Sequence, residues 1–163
     1  MAELTNLDTK LAEVLGLAMA AQGATQKVEK LVEDDELKQQ LQQMRDEAAE
    51  TEQRTTSLVE ELDGKKTAIL EKARETKREA TEMMQTYLGD DADGLDGFEF
   101  LTMAEAGEIG HWEIVGVMGD RARNSQVKQL VDWAIPIQQR HFETTLWGSV
   151  KLAEEEDPNE PAE

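Results

Sequence analysis

Between Met1 and Asp157 this chain contains one proline, Pro136; the other two of its three, Pro158 and Pro161, lie in the last six residues. Proline removes a backbone donor and clashes with the preceding turn, so its scarcity lifts the strongest local barrier to long helices. Long stretches are rich in Ala, Leu, Glu, Lys and Gln, the strong helix formers, and β-branched clusters at period two are absent. The pattern predicts an all-α fold.

Apolar residues then place the helices. In a first helix over about Thr5–Val32, Leu7, Leu11, Val14, Leu15, Ala18, Gln22, Thr25, Val28 and Val32 recur at steps of three and four, one inward stripe. Asp34-Asp35 breaks the pattern, with Asp35 as a candidate cap. A second helix over about Glu36–Leu62 carries Leu37, Leu41, Met44, Ala48, Thr51, Thr55, Leu58 and Leu62, and Asp63-Gly64 stops it. A connecting helix over about Lys66–Leu88 alternates its charges and has a thin stripe that includes Ile69, Ala73, Met83 and Tyr87, as expected of a surface helix.

Gly89–Gly97 reads as an acidic loop. It fails as a calcium-binding EF-hand, because a frame starting at Asp91 puts Leu95 and Thr102 where oxygen ligands belong. A third main helix, about Phe98–Arg123, is assigned the stripe Phe100, Met103, Ala104, Gly107, Gly110, His111, Ile114, Val117 and Met118, with Glu108 at its edge. A fourth, about Ser125–Leu152, turns Val127, Leu130, Val131, Ala134, Gln138, His141 and Thr145 inward, with a kink expected at Pro136. Residues 1–152 are expected to form one bundle domain and 153–163 a disordered acidic tail, since Glu154–Glu163 holds six acids and two prolines.

Charge and cysteine bound the function. With 36 acidic against 17 basic residues the net charge is −19, which repels nucleic acid and anionic membranes. There is no cysteine, so disulfides, thiolate metal sites and cysteine nucleophiles are excluded. No apolar run has the length of a membrane span, and no signal peptide is expected from Met1–Leu11, so a cytoplasmic location follows as the default. A Gly-x-x-x-x-Gly-Lys nucleotide loop is also absent.

The two histidines, His111 and His141, both fall on inward stripes, alongside Gln22, Thr51 and the flanking Glu47 and Glu50. Each main helix thus places polar groups near its middle. One polar layer at mid-height of a four-helix bundle is how carboxylate-bridged metal sites are built, and Glu108-x-x-His111 is the unit that offers a carboxylate and an imidazole on one helix face. The fourth helix offers Gln138-x-x-His141.

Three short segments carry a family resemblance: Ala21-Gln22, Glu50-Thr51 and His111-Trp112-Glu113-Ile114. In these, and over roughly residues 7–152, the chain resembles the small bacterial ferritin-like proteins of the stress-response type. The resemblance implies a ferritin-like four-helix bundle with a long crossover, iron or another divalent metal between the helices, and oxygen or peroxide chemistry there. A homodimer paired through long helix faces is expected.

The chain departs from the family pattern at Gln22, Gly110 and Gln138-Gln139, where carboxylates are expected, and at Gln53. A di-iron centre needs about four carboxylates. Two arrangements remain. Either Glu50, Glu108, His111 and His141 hold a metal, with Glu47 and Glu113 as alternative carboxylates, or the polar groups form a metal-free hydrogen-bonded layer in a dimerisation or partner-binding bundle.

Overall fold

Thr5 and Asp8 open the first helix by a reciprocal exchange. The Asp8 amide donates to Thr5 Oγ1 at 3.2 Å, and the Thr5 amide donates to the Asp8 carboxylate at 2.8 Å. This fills donors that a helix start leaves free. In the computed structural model, which describes residues 2–161, the helix that follows is α1 (Asn6–Glu29). Asp34, not the expected Asp35, caps α2 (Asp35–Glu60) through the Leu37 amide. Gly64 then takes the left-handed conformation, φ +72°, at the stop the sequence predicts.

After it come α3 (Lys66–Tyr87), α4 (Gly94–Arg121) and α5 (Ser125–Ala153). α4 begins inside the segment expected to be loop, because Asp93 and Asp96 form a second reciprocal cap there. α5 continues as helix through Pro136. Glu154–Pro161 forms exposed turns and bends, and residues 162 and 163 of the expected tail lie outside the described residues.

The described residues contain five helices and no strand, so the all-α expectation holds. α1 packs on α2, α3 and α4, and α5 packs on α2 and α4. The chain direction follows from end-to-end contacts. Lys65, just before α3, reaches Asp8 at 2.7 Å, and Lys27 near the end of α1 donates to the Leu88 carbonyl just after α3. α3 therefore runs alongside α1 in the same sense. Lys151 near the end of α5 meets Asp34 before α2 at 2.6 Å, so α2 and α5 are antiparallel.

Gly16 lets α3 settle against α1. A Cβ there would stand 2.4 Å from the Ala73 carbonyl oxygen and 2.7 Å from Thr76 Cβ.

Two apolar clusters fill the bundle along its length. One gathers Val28, Leu37, Leu41, Phe98 and Leu101; the other gathers Leu11, Val14, Trp112, Val115 and Leu130. A third, around Leu15, Val59 and Ile69, lies under α3. Each such side chain contributes roughly 1.5–3 kcal/mol by leaving water.

The stripes expected for α1, α2 and α5 are the ones buried, except that Leu7, Gln22 and Leu62 are only half-buried. The stripe expected for α4 is buried only at Phe100. Its buried face is Phe98, Leu101, Glu105, Glu108, Trp112, Val115 and Gly119, while Met103, Ile114 and Val117 are exposed at 44, 42 and 60%. Trp112 drives this, since the largest side chain on the helix has the most apolar area to bury. Met83 and Tyr87 of α3, also expected inward, are exposed as well.

Candidate functional site

Between the two main apolar clusters, α4 and α5 place four polar side chains that are almost fully buried. Glu105, Glu108, Gln138 and His141 are 2, 5, 5 and 4% exposed. α2 adds Glu47 from the bundle edge. Regular spacing brings them together: Glu105 and Glu108 lie one turn apart on α4, as do Gln138 and His141 on α5.

His141 stands between two carboxylates. Its Nε2 is 2.6 Å from Glu47 Oε2, and its Nδ1 is 3.5 Å from Glu105 Oε2, an ion-pair distance without hydrogen-bond geometry. Burial alone would lower the imidazole pKa, but Glu105 and Glu47 outweigh it and raise the value above the ordinary histidine range. Glu47 also accepts from Arg140 at 2.7 Å and from Gln43 at 3.0 Å. Burial opposes the Glu47 charge, yet Gln43, His141 and Arg140 together hold its carboxyl below the usual carboxylate range.

Glu108 is in the opposite condition. It accepts one hydrogen bond, from Gln138 Nε2 at 2.5 Å. Burial, helped by the neighbouring Glu105 charge, pushes its carboxyl well above the usual range despite that bond. Two acceptors nearby, Glu105 Oε2 and Gln138 Oε1, have no hydrogen-bond partner. Buried polar atoms are rarely left so, because each unpaired group costs roughly 1–3 kcal/mol. Even with the one proton that a neutral Glu108 can donate, one of these acceptors stays unfilled.

Three of the four buried threonines do not relieve this shortage. Thr25, Thr51 and Thr145 donate to carbonyls of their own helices.

The candidate ligands inferred from sequence are divided by the fold. Glu108 and His141 both enter the layer. His111 does not; it lies at the α1–α4 edge, with Nδ1 3.3 Å from Glu13. Glu50 faces solvent and pairs with Arg54 at 2.8 Å, because it sits beside Thr51 rather than a full turn away. Glu47, four residues before Thr51, takes the interior position instead. Glu113 is exposed, and Gln22 bonds Glu52 between α1 and α2.

Glu105 is the member the sequence stripe missed. Its spacing from Leu101, Glu108 and Trp112, in steps of four, three and four, was the signal that could have found it.

Beside the layer, α1, α3 and α4 leave a cavity of about 240 Å³. Ala20, Ala21 and Ala24 from α1, Ala80 from α3, and Ala104 and Gly107 from α4 are too small to fill it. Glu105, Glu108 and His111 are also among its walls.

No protein-family model, curated protein or solved structure matches this chain. Among the described residues no group of three or more His, Asp or Glu side chains is already arranged to hold a metal ion. No helix among them is long and apolar enough to cross a membrane.

Proposed function

We propose that this chain is a ferritin-like helical bundle that binds a divalent metal ion, iron or another, in its interior charged layer. The observation that carries the reading is the acceptor surplus around His141: Glu47 and Glu105 flank its ring, Glu108 bonds Gln138 one turn away, and Glu105 Oε2 and Gln138 Oε1 are unpartnered. Glu105, Glu108 and His141, with Gln138 or Glu47, are the residues that would hold the ion. Their oxygen and imidazole donors suit iron, zinc or manganese. Binding an ion would exchange the Glu108–Gln138 and Glu47–His141 contacts for metal bonds. A bound iron would supply redox chemistry with oxygen or peroxide.

The chain path supports the ferritin-like assignment. α2 and α4 point the same way and are joined through α3, which returns along α1. Bundles with one long crossover have this connectivity.

The test is metal content by mass spectrometry on untagged protein, loaded anaerobically with Fe(II) or with Zn(II) and desalted in moderate salt to strip surface ions. One or two ions per chain, lost in Glu105→Gln, support the proposal. A value near zero for every metal refutes it.

A second reading has its own observation. Met103, Ile114 and Val117 on α4 and Leu146 and Val150 on α5 leave apolar side chains on the outside of the bundle. An exposed face of this kind suits a metal-free bundle that associates with a second copy or another protein. Sedimentation after chelation tests it: a dimer that persists without metal favours this reading, and a monomer removes it.

A further inference from the structure

We propose that the cavity between α1, α3 and α4 is a binding site for a small amphiphilic ammonium ion, an apolar chain or ring carrying one protonated amine. This goes beyond the metal reading, because it assigns a ligand to a different space and is tested without metal.

Three features define the ligand. The first is size. An apolar protein cavity of about 150 Å³ accepts benzene, so the roughly 240 Å³ available here takes a chain of about six carbons or one ring with a short arm. The second is the apolar wall. Small residues on three helices create the space, and Met83 and Met103, both exposed, stand at its margin. Methionine side chains adapt their shape to apolar ligands.

The third is the polar part of the wall, Glu105, Glu108 and His111. Both glutamates are at least nine-tenths buried, and Glu105 Oε2 has no hydrogen-bond partner. An ammonium brings three N–H donors, and the unpartnered Glu105 oxygen lacks one. A carboxylate ligand of the same shape would meet those acids head-on. A neutral alcohol would fill the apolar space and make at most a weaker hydrogen bond.

The experiment uses three probes of one shape, n-hexylammonium, n-hexanol and hexanoate, titrated calorimetrically into the full chain after EDTA treatment. The expected order is hexylammonium tighter than hexanol by about tenfold or more, with no binding of hexanoate. Gly107→Leu fills the cavity. A Cβ at Gly107 meets nothing within 4 Å, so the variant should fold, and it should abolish hexylammonium binding. Ala104→Leu fills the cavity from the next turn and should do the same.

Glu105→Gln should remove the preference for the amine while leaving hexanol binding in place. Equal affinity for amine and alcohol, binding that survives both filling variants, or no binding of any probe would overturn the proposal. A chain that takes hexylammonium but no metal, or metal but no hexylammonium, separates this inference from the metal reading.

Discussion

The apolar ends of the bundle and the charged layer between them are built from the same helices but obey different accounts. At the ends, side chains such as Phe98 and Trp112 are buried among carbon neighbours, and stability follows from area removed from water. In the layer, burial works against the residues present. Glu108 is held toward its neutral form, His141 is held toward its cationic form only because Glu105 and Glu47 flank it, and two acceptors lack partners. The ends therefore hold the fold, while the layer draws on their stability. Such a layer is where a cation would change most.

That contrast can be broken experimentally. Phe98→Ala should produce the largest loss, about 3–5 kcal/mol in urea unfolding, while leaving metal uptake by the folded fraction intact. A variant that keeps its stability would mean the apolar ends do not hold the bundle.

His141→Ala should cost about 3 kcal/mol, because Glu105 loses its counter-charge in the interior. Adding Glu105→Gln should restore part of it. Strict additivity of the two changes would show that the residues are not coupled.

A smaller effect concerns pH. The raised Glu108 and His141 pKa values mean the folded chain holds those protons more tightly than the unfolded one. Their stabilisation is complete below the ordinary values, 4.5 and 6.5, and is lost as pH rises through the raised ones. Glu47 has the opposite sign, losing its contribution as pH falls. Glu108→Gln should accordingly flatten the decline in melting temperature seen on raising pH from its ordinary range. An unchanged profile would mean Glu108 does not carry a proton in the fold.

The smallest effect belongs to Glu50→Ala. Its exposed pair with Arg54 predicts a change within about 0.5 kcal/mol and no change in bound metal.

Much of this was legible in the sequence, and the failures have a common origin. α1, α2 and α5 each carry one apolar stripe, so spacing alone identified the buried faces, including Gln138 and His141. α4 carries two. Met103, Ile114 and Val117 lie on one face, and Leu101, Trp112 and Val115 on the other, both at steps of three and four. Gly107 and Gly110 fit the wrong stripe because glycine has no side chain to contradict it.

Choosing that stripe moved His111 inward, left Glu108 at the edge and hid Glu105. On α2, Glu50 and Glu47 both flank Thr51, and only the fourth-residue step places Glu47 on the inner face. The cavity was not legible at all, since it exists only where small residues of three helices meet.

Whether the layer seeks a cation is decided by the melting temperature at pH 7 with and without one equivalent of Zn(II) or anaerobic Fe(II). The melting temperature of the unmodified chain should rise, because an ion bound only by the folded state stabilises it, and that of Glu105→Gln should not. An unchanged melting temperature in the unmodified chain, or an equal rise in both, would contradict it.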